Sequence, residues 1–175
     1  MLSIESLEAA LPGLITHRLP VRRRVDWKTV CGRLGTSLPG DYIDLAELYP
    51  WLKINQFLAV TSPVPGAEGA FVEQMRENLG ALDEMSQQDM SGGYPAFPTP
   101  GGLFPWGSSV DGDEFHWVTK GEPDRWTVVV AGANDDWYHH NGGITDYLAG
   151  LCAGTVPPYG LPSGFPGSNP TVSVG

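Results

Sequence analysis

The segment Gly101–Val130, GGLFPWGSSVDGDEFHWVTKGEPDRWTVVV, constrains the fold more than any other part of the chain. Between Asp113 and Thr119, Phe115 and Trp117 alternate with Glu114 and His116, the two-residue period of a half-buried strand. The run Trp126–Val130 is aromatic and β-branched, as suits a central strand. The intervening Lys120–Arg125 is polar, carries Gly121 and Pro123, and is too short for the helix of a parallel crossover. These residues predict an antiparallel pair at the middle of a sheet. Three of the six tryptophans, Trp106, Trp117 and Trp126, fall inside the segment.

Helical spacing surrounds it. Ile4–Leu11 reads as a short helix closed by Pro12-Gly13. Asp26 is a good N-cap for a helix that carries Trp27, Val30, Cys31 and Leu34 on one side and stops at Gly35. A second helix starts near Asp41 and turns Tyr42, Leu45, Ala46 and Tyr49 inward, with Asp44 and Glu47 pointing elsewhere and Pro50 at its end. The two are expected to form a helical hairpin. Ile54–Val60 reads as one strand, and Ala70–Ser86 as the longest helix, with a stripe of Phe71, Met75, Leu79, Leu82 and Met85. Ser91–Gly107 is rich in Pro, Gly and aromatics, the composition of a long loop pinned to the core. Ala131–Asn141 reads as a turn with a short edge strand, and Asp146–Ala153 as a last helix capped by Thr145 and stopped by Gly154. The organisation expected is an N-terminal helix and basic segment over 1–25, a domain over 26–154, and a Pro/Gly-rich tail over 155–175 that is irregular and mobile, with Tyr159 or Phe165 resting on the body.

Apolar residues make up 41% of the 175, enough to build a core. No apolar run approaches the roughly 20 residues of a membrane span. The N-terminus lacks the basic start and cleavage site of a secretory signal, so a cytoplasmic location is expected. In that compartment Cys31 and Cys152 are expected as two buried free thiols rather than a disulfide. The net charge of −10 is uneven: residues 1–33 carry +3 and the remainder −13. Such a body repels nucleic acid and anionic membrane and attracts basic partners. Arg22, Arg23 and Arg24 are read as making local ion pairs rather than an anion site.

Signals for catalysis are poor. Asp111-Gly112-Asp113-Glu114 looks like part of a calcium loop, but the fifth position is Phe115, which offers no side-chain oxygen. Asp135, Asp136, His139 and His140 are metal-ligating residue types, yet adjacent histidines on an extended chain point to opposite faces. The chain lacks G-x-S-x-G, Walker A, G-x-G-x-x-G, C-x-x-C and H-E-x-x-H patterns. The residues therefore point away from an enzyme and imply no cofactor and no metal. A hydrolase using the Asp135–His140 cluster is the weakest alternative.

Five pieces in order carry a resemblance. They are RLGTSLPGDYIDLAELYP at Arg33–Pro50, FLAV at Phe57–Val60, the Trp106-Gly107 pair followed by Gly112-Asp113, the Trp117 strand with its Gly121, Pro123, Asp124, Trp126 turn, and ITDYLAGLCAG at the last helix. Over about Trp27–Leu151 the chain resembles the SUKH superfamily, the Smi/Knr-type group of bacterial toxin-immunity proteins and fungal cell-wall regulators. The matching motif residues, Leu38, Pro39, Tyr42, Trp106, Gly107, Trp117, Gly121, Pro123 and Trp126, are expected to be structural. The resemblance implies an α+β fold with a mixed or mostly antiparallel sheet and helices packed around it. It implies a non-enzymatic protein that binds and neutralises a toxin, often a nuclease or nucleic-acid deaminase.

The acidic charge fits that expectation, because a nuclease presents a basic cleft to phosphate that an acidic inhibitor can occupy. The expected partner is thus a basic toxin domain, with no nucleic acid and no membrane. Expected contacts are Asp111, Asp113, Glu114, Asp135 and Asp136 in loops and strand ends, Tyr138 as an aromatic anchor, and Asp44 and Glu47 as a second patch. Asp113 and Asp124 have turn capping as their alternative role. The alternative for the whole chain is a regulatory or scaffold module of the same fold, acting in cell-wall or signalling assemblies.

Overall fold

The computed structural model describes residues 4–175. In chain order these form α1 (Ile4–Ala10), a 3-10 turn (Pro12–His17), α2 (Trp27–Leu34), α3 (Gly40–Leu48), β1 (Lys53–Ile54), β2 (Leu58–Val60), α4 (Glu68–Gln87), β3 (Leu103–Ser109), β4 (Glu114–Val118), β5 (Thr127–Ala131), β6 (Trp137–His140), α5 (Ile144–Ala153) and β7 (Val172–Ser173). The strands make one sheet of order β6-β5-β4-β3-β2-β1-β7, and every ladder in it is antiparallel. This is an α+β fold.

The predicted pair is present as β4 and β5, with Phe115 opposite Val130 and Trp117 opposite Val128. The middle strand of the seven, however, is β3, in a stretch that reads as loop. Proline is normally confined to strand edges and bulges, and Pro105 sits at a bulge: the register with β4 shifts between Pro105 and Gly107. Trp106 and Gly107 together oppose the single position Phe115, and glycine leaves that place to the indole of Trp106. A Cβ on Gly107 would lie 2.7 Å from the carbonyl oxygen of Ala59 on β2, so the motif glycine is a close-approach residue.

Ile54–Val60 is likewise two strands rather than one. Asn55 and Gln56 adopt φ of 54° and 51°, and the Phe57 amide donates to the Ile54 carbonyl at 3.0 Å. Two successive positive φ values make a turn whose twist suits a hairpin.

Side chains of β3, β4 and β5 divide between two buried faces. Phe104, Trp106, Phe115, Trp117, Val128 and Val130 join the main core with residues of α1, α2, α3 and α5. Leu103, Val118 and Val129 form a smaller core with Leu82 of α4 and Ala96 of the preceding loop. The expected half-buried strand is therefore covered on both sides, because α4 crosses the second face. α2 and α3 touch through Trp27 and Tyr42, whose ring centroids lie 6.1 Å apart. Their main packing partners are α4 and α5 respectively, rather than each other as the hairpin expectation required.

α1 and the C-terminal tail belong to the same body. α1 packs on α5. The tail expected to be irregular and mobile adds β7 to the sheet, pairing Val172 with Ile54. Phe165 of the tail meets Phe57 at 5.1 Å and Tyr159 meets Tyr138 at 5.9 Å. The cysteines are free and half-buried. Burial raises both thiols, Cys152 to about 11.

α5 starts at Ile144, and its cap comes from another helix. The Asp41 carboxylate of α3 accepts from the Thr145 amide at 3.1 Å and the Thr145 hydroxyl at 3.0 Å. Thr145 is thus a helical residue, not the cap. Asp124 plays the same part for α3, accepting from the Gly40 amide at 2.7 Å.

Candidate functional site

Antiparallel pairing brings three turns to one end of the sheet: Asn55–Phe57, Val110–Asp113 and Gly132–Asp136. The Val110 amide donates to the Phe57 carbonyl at 3.0 Å, which ties the first turn to the second. Asp113 ties the second to the third. Its carboxylate accepts from the Ser109 hydroxyl and, at 2.9 Å, from the Ala133 amide. Asp113 is only 3% exposed. It was expected as a contact and is instead the internal brace of the turns, the capping role that short Asp side chains favour.

Asp111 and Asp136 line a shallow cleft of about 300 Å³ beside this brace, closed on its far side by Gly160, Leu161 and Pro162 of the tail. Asp135 stands in the same turn at φ 62°, its carboxylate accepting from the Trp137 indole N–H at 2.8 Å. Among the described residues, no lysine, arginine or histidine makes an ion pair with Asp111, Asp135 or Asp136. The same residues leave a like-charged group at one end of the sheet. Tyr138 is near it on β6, half-buried against Tyr159.

The remaining expected contacts lie elsewhere. Glu114 faces α4, with its Oε2 3.3 Å from His116 Nε2. Asp44 on α3 pairs with Arg22 at 2.7 Å. Glu47 does not point to solvent as expected. At 3% exposure its carboxylate accepts from the Arg24 amide at 2.8 Å, the Val25 amide at 3.0 Å and the Trp27 indole at 2.7 Å. Asp44 and Glu47 consequently form no common patch. Burial alone would raise the Glu47 carboxyl, but these hydrogen bonds outweigh it and hold the group below its ordinary value.

The basic segment folds along α3. Besides the Arg22 pair, Arg18 meets Glu8 at 3.0 Å and Arg23 donates to the Ala46 carbonyl at 3.2 Å. Arg24 has φ 62° and contributes its amide to Glu47.

His139 lies within hydrogen-bond distance of the Thr127 hydroxyl at 2.8 Å, while the His140 ring packs on Tyr147 at 5.7 Å. Among the described residues no three His, Cys, Asp or Glu side chains are grouped to hold a metal ion. No helix among them is long and apolar enough to cross a membrane.

The motif tryptophans are core. Trp106 and Trp117 are 1% exposed and Trp126 is 4% exposed. The Trp126 indole donates to the Gly121 carbonyl at 3.1 Å, which explains that turn's spacing. Tyr42 stands edge-on to Trp117 at 5.0 Å, and its hydroxyl donates to the Thr61 carbonyl at 2.7 Å. Comparisons of the chain with protein-family models, with curated proteins and with solved structures find no match.

Two features of the surface escape sequence reasoning. The tail wall of the acidic cleft depends on contacts across more than a score of residues. The second is a cavity of about 350 Å³ between α4 and the sheet, into which strand alternation places Glu114 and His116 together. The Glu114/His116 alternation was legible; the helix laid over it was not.

Proposed function

We propose that this chain is a non-enzymatic binding protein of the toxin-immunity kind, which recognises a basic protein domain through the acidic end of its sheet. The observation that supports this reading best is the group Asp111, Asp135 and Asp136, carried on braced turns and left without a cationic side-chain partner among the described residues. Turns that are cross-linked by Asp113 lose little conformational entropy on binding, which favours their use as a recognition surface. Charges held at one end of a rigid sheet steer an oppositely charged partner and fix its orientation. A basic nucleic-acid-processing domain, such as a nuclease or deaminase, is the partner class with the matching chemistry. The ordered motif resemblance described above agrees with this reading. In it the protein acts inside the producing cell by occupying the toxin, with no chemistry of its own.

The test is affinity capture from the native cells at low and then high salt, with bound proteins identified by mass spectrometry. The expected result is one basic domain, released as salt rises, and absent when Asp111→Lys, Asp135→Lys and Asp136→Lys are combined. The captured domain should lose its toxic activity when the wild-type chain is added and keep it with the triple variant. Recovery only of envelope or signalling proteins, insensitive to salt and to the three substitutions, would overturn this reading in favour of a regulatory module.

A further inference from the structure

The cavity under α4 has an unusual floor. His116 is 1% exposed, and neither ring nitrogen has a hydrogen bond of proper geometry, although Nε2 lies 3.3 Å from Glu114 Oε2. Buried polar groups are nearly always satisfied, and an orphaned one costs free energy unless something enters to pair with it. The neutral imidazole has one N–H and one lone pair. The carboxylate beside Nε2 favours the proton there, which leaves Nδ1 as an acceptor. The close approach of the His116 ring holds the Glu114 carboxyl below its ordinary value, against an opposing effect of burial. Glu114 is half exposed, so its remaining lone pairs stay open to a ligand.

The rest of the lining fixes the ligand's character. No lysine or arginine lines the cavity, and Gln74, Asn78 and Ser108 supply neutral polar groups. Trp51, Met75, Leu82 and Met85 supply apolar and polarisable surface. Trp51 is held at φ 52°, a conformation that bulky residues rarely adopt, and it is among the large apolar side chains left accessible. An anion would meet a carboxylate and a lone pair. A purely apolar ligand would leave the imidazole orphaned. A cation with several N–H donors satisfies both groups, and an aromatic face and thioethers suit the stem that carries it.

We propose that the cavity between α4 and the sheet binds a guanidinium or ammonium group on a short apolar stem, with Glu114 and His116 receiving the cation. The source of that group is either a free small amine or guanidine, or an arginine or lysine side chain of a partner. The cavity takes such a cation whether or not the acidic turns hold a toxin.

The test uses the full chain, labelled with 15N, and follows the His116 ring nitrogens and the Gln74 and Asn78 side-chain amides by NMR. The probes are n-butylguanidinium, n-butylammonium, butyrate, n-butanol and a blocked Gly-Arg-Gly peptide. Saturable shifts of the His116 and Asn78 signals with the cations, and none with butyrate or n-butanol, are expected. Glu114→Gln, at a half-exposed position, should weaken the cations roughly tenfold or more with an unchanged fold. Tighter binding of the peptide than of the free cations assigns the group to a partner's side chain; the reverse order assigns it to a small molecule. Equal shifts from n-butanol or butyrate, or no saturable shift from any cation, would overturn the proposal without bearing on the acidic turns, whose signals are read in the same spectra.

Discussion

Glu47 shows how much a single buried carboxylate holds. It gathers the amides of Arg24 and Val25 and the indole of Trp27, so it pins the basic segment and the start of α2 to α3 at once. Removing it leaves three donors without an acceptor, two of them on the backbone. Glu47→Ala should destabilise the fold by about 2–4 kcal/mol in chemical denaturation, the cost of orphaning several buried donors. The pH dependence follows from the lowered carboxyl. A group whose folded value lies below its unfolded value contributes stability that is fully present above the unfolded value, here 4.5. That contribution is lost as pH falls through the lower folded value. Wild type should therefore lose stability faster than Glu47→Gln on acidification below about pH 4.5, and the two thermal midpoints should approach one another. Equal acid slopes for the two proteins would remove Glu47 from this role.

At the scale of elements, the middle strand is the one that local rules demote. β3 contains Pro105 and Gly107, yet it is hydrogen-bonded on both sides by β2 and β4. The bulge absorbs the proline, and the absent Cβ at position 107 lets the Ala59 carbonyl come close. Gly107→Ala should cost about 1–3 kcal/mol, since the clash is with backbone that cannot swing aside. A loss near zero would mean that β2 shifts freely. The tail is an element of the same kind, decided by distant contacts. Val156 is 8% exposed and packs over Gly150, where any Cβ would meet its Cγ2 at 2.4 Å. Phe165 covers Phe57, and β7 completes the sheet edge. Truncation after Gly154 should lower stability by about 3–5 kcal/mol, from the apolar surface uncovered. An unchanged denaturation midpoint would show the tail to be dispensable.

The whole molecule is polarised by the pairing of its charges. Arg18, Arg22 and Arg33 are neutralised locally by Glu8, Asp44 and Glu73, so the basic N-terminal part presents less free positive charge than its composition implies. Among the described residues, no lysine, arginine or histidine pairs with Asp111, Asp135 or Asp136 at the turn end of the sheet. Association with a basic domain should accordingly slow as ionic strength rises, while dissociation changes less, because steering acts over about a Debye length before contact forms. Stopped-flow association across a salt series checks this once the captured domain is in hand. The Asp111, Asp135, Asp136 triple lysine variant should flatten or reverse the slope, and an unchanged slope would move the interface to another face.

Local pattern determined a good deal of this protein. Phe115 and Trp117 announced β4 by their period, WTVVV announced β5, and Asp26 with Gly35 bounded α2 through a cap bond and a left-handed stop. These signals are legible because each rests on residues within a turn or two of one another. Tertiary structure alone decided the rest. Whether Glu47 or Asp113 faces solvent depends on which backbone amides another segment delivers, and no spacing encodes that. β3, with its Pro105, became the middle strand because β2, separated from it by the whole of α4, supplied the pairing on its second edge. His116 became the buried floor of a cavity because α4 crosses the sheet above it. In each case the deciding free energy comes from burying or satisfying a group through a partner far along the chain, and it exceeds the local preference that sequence alone can show.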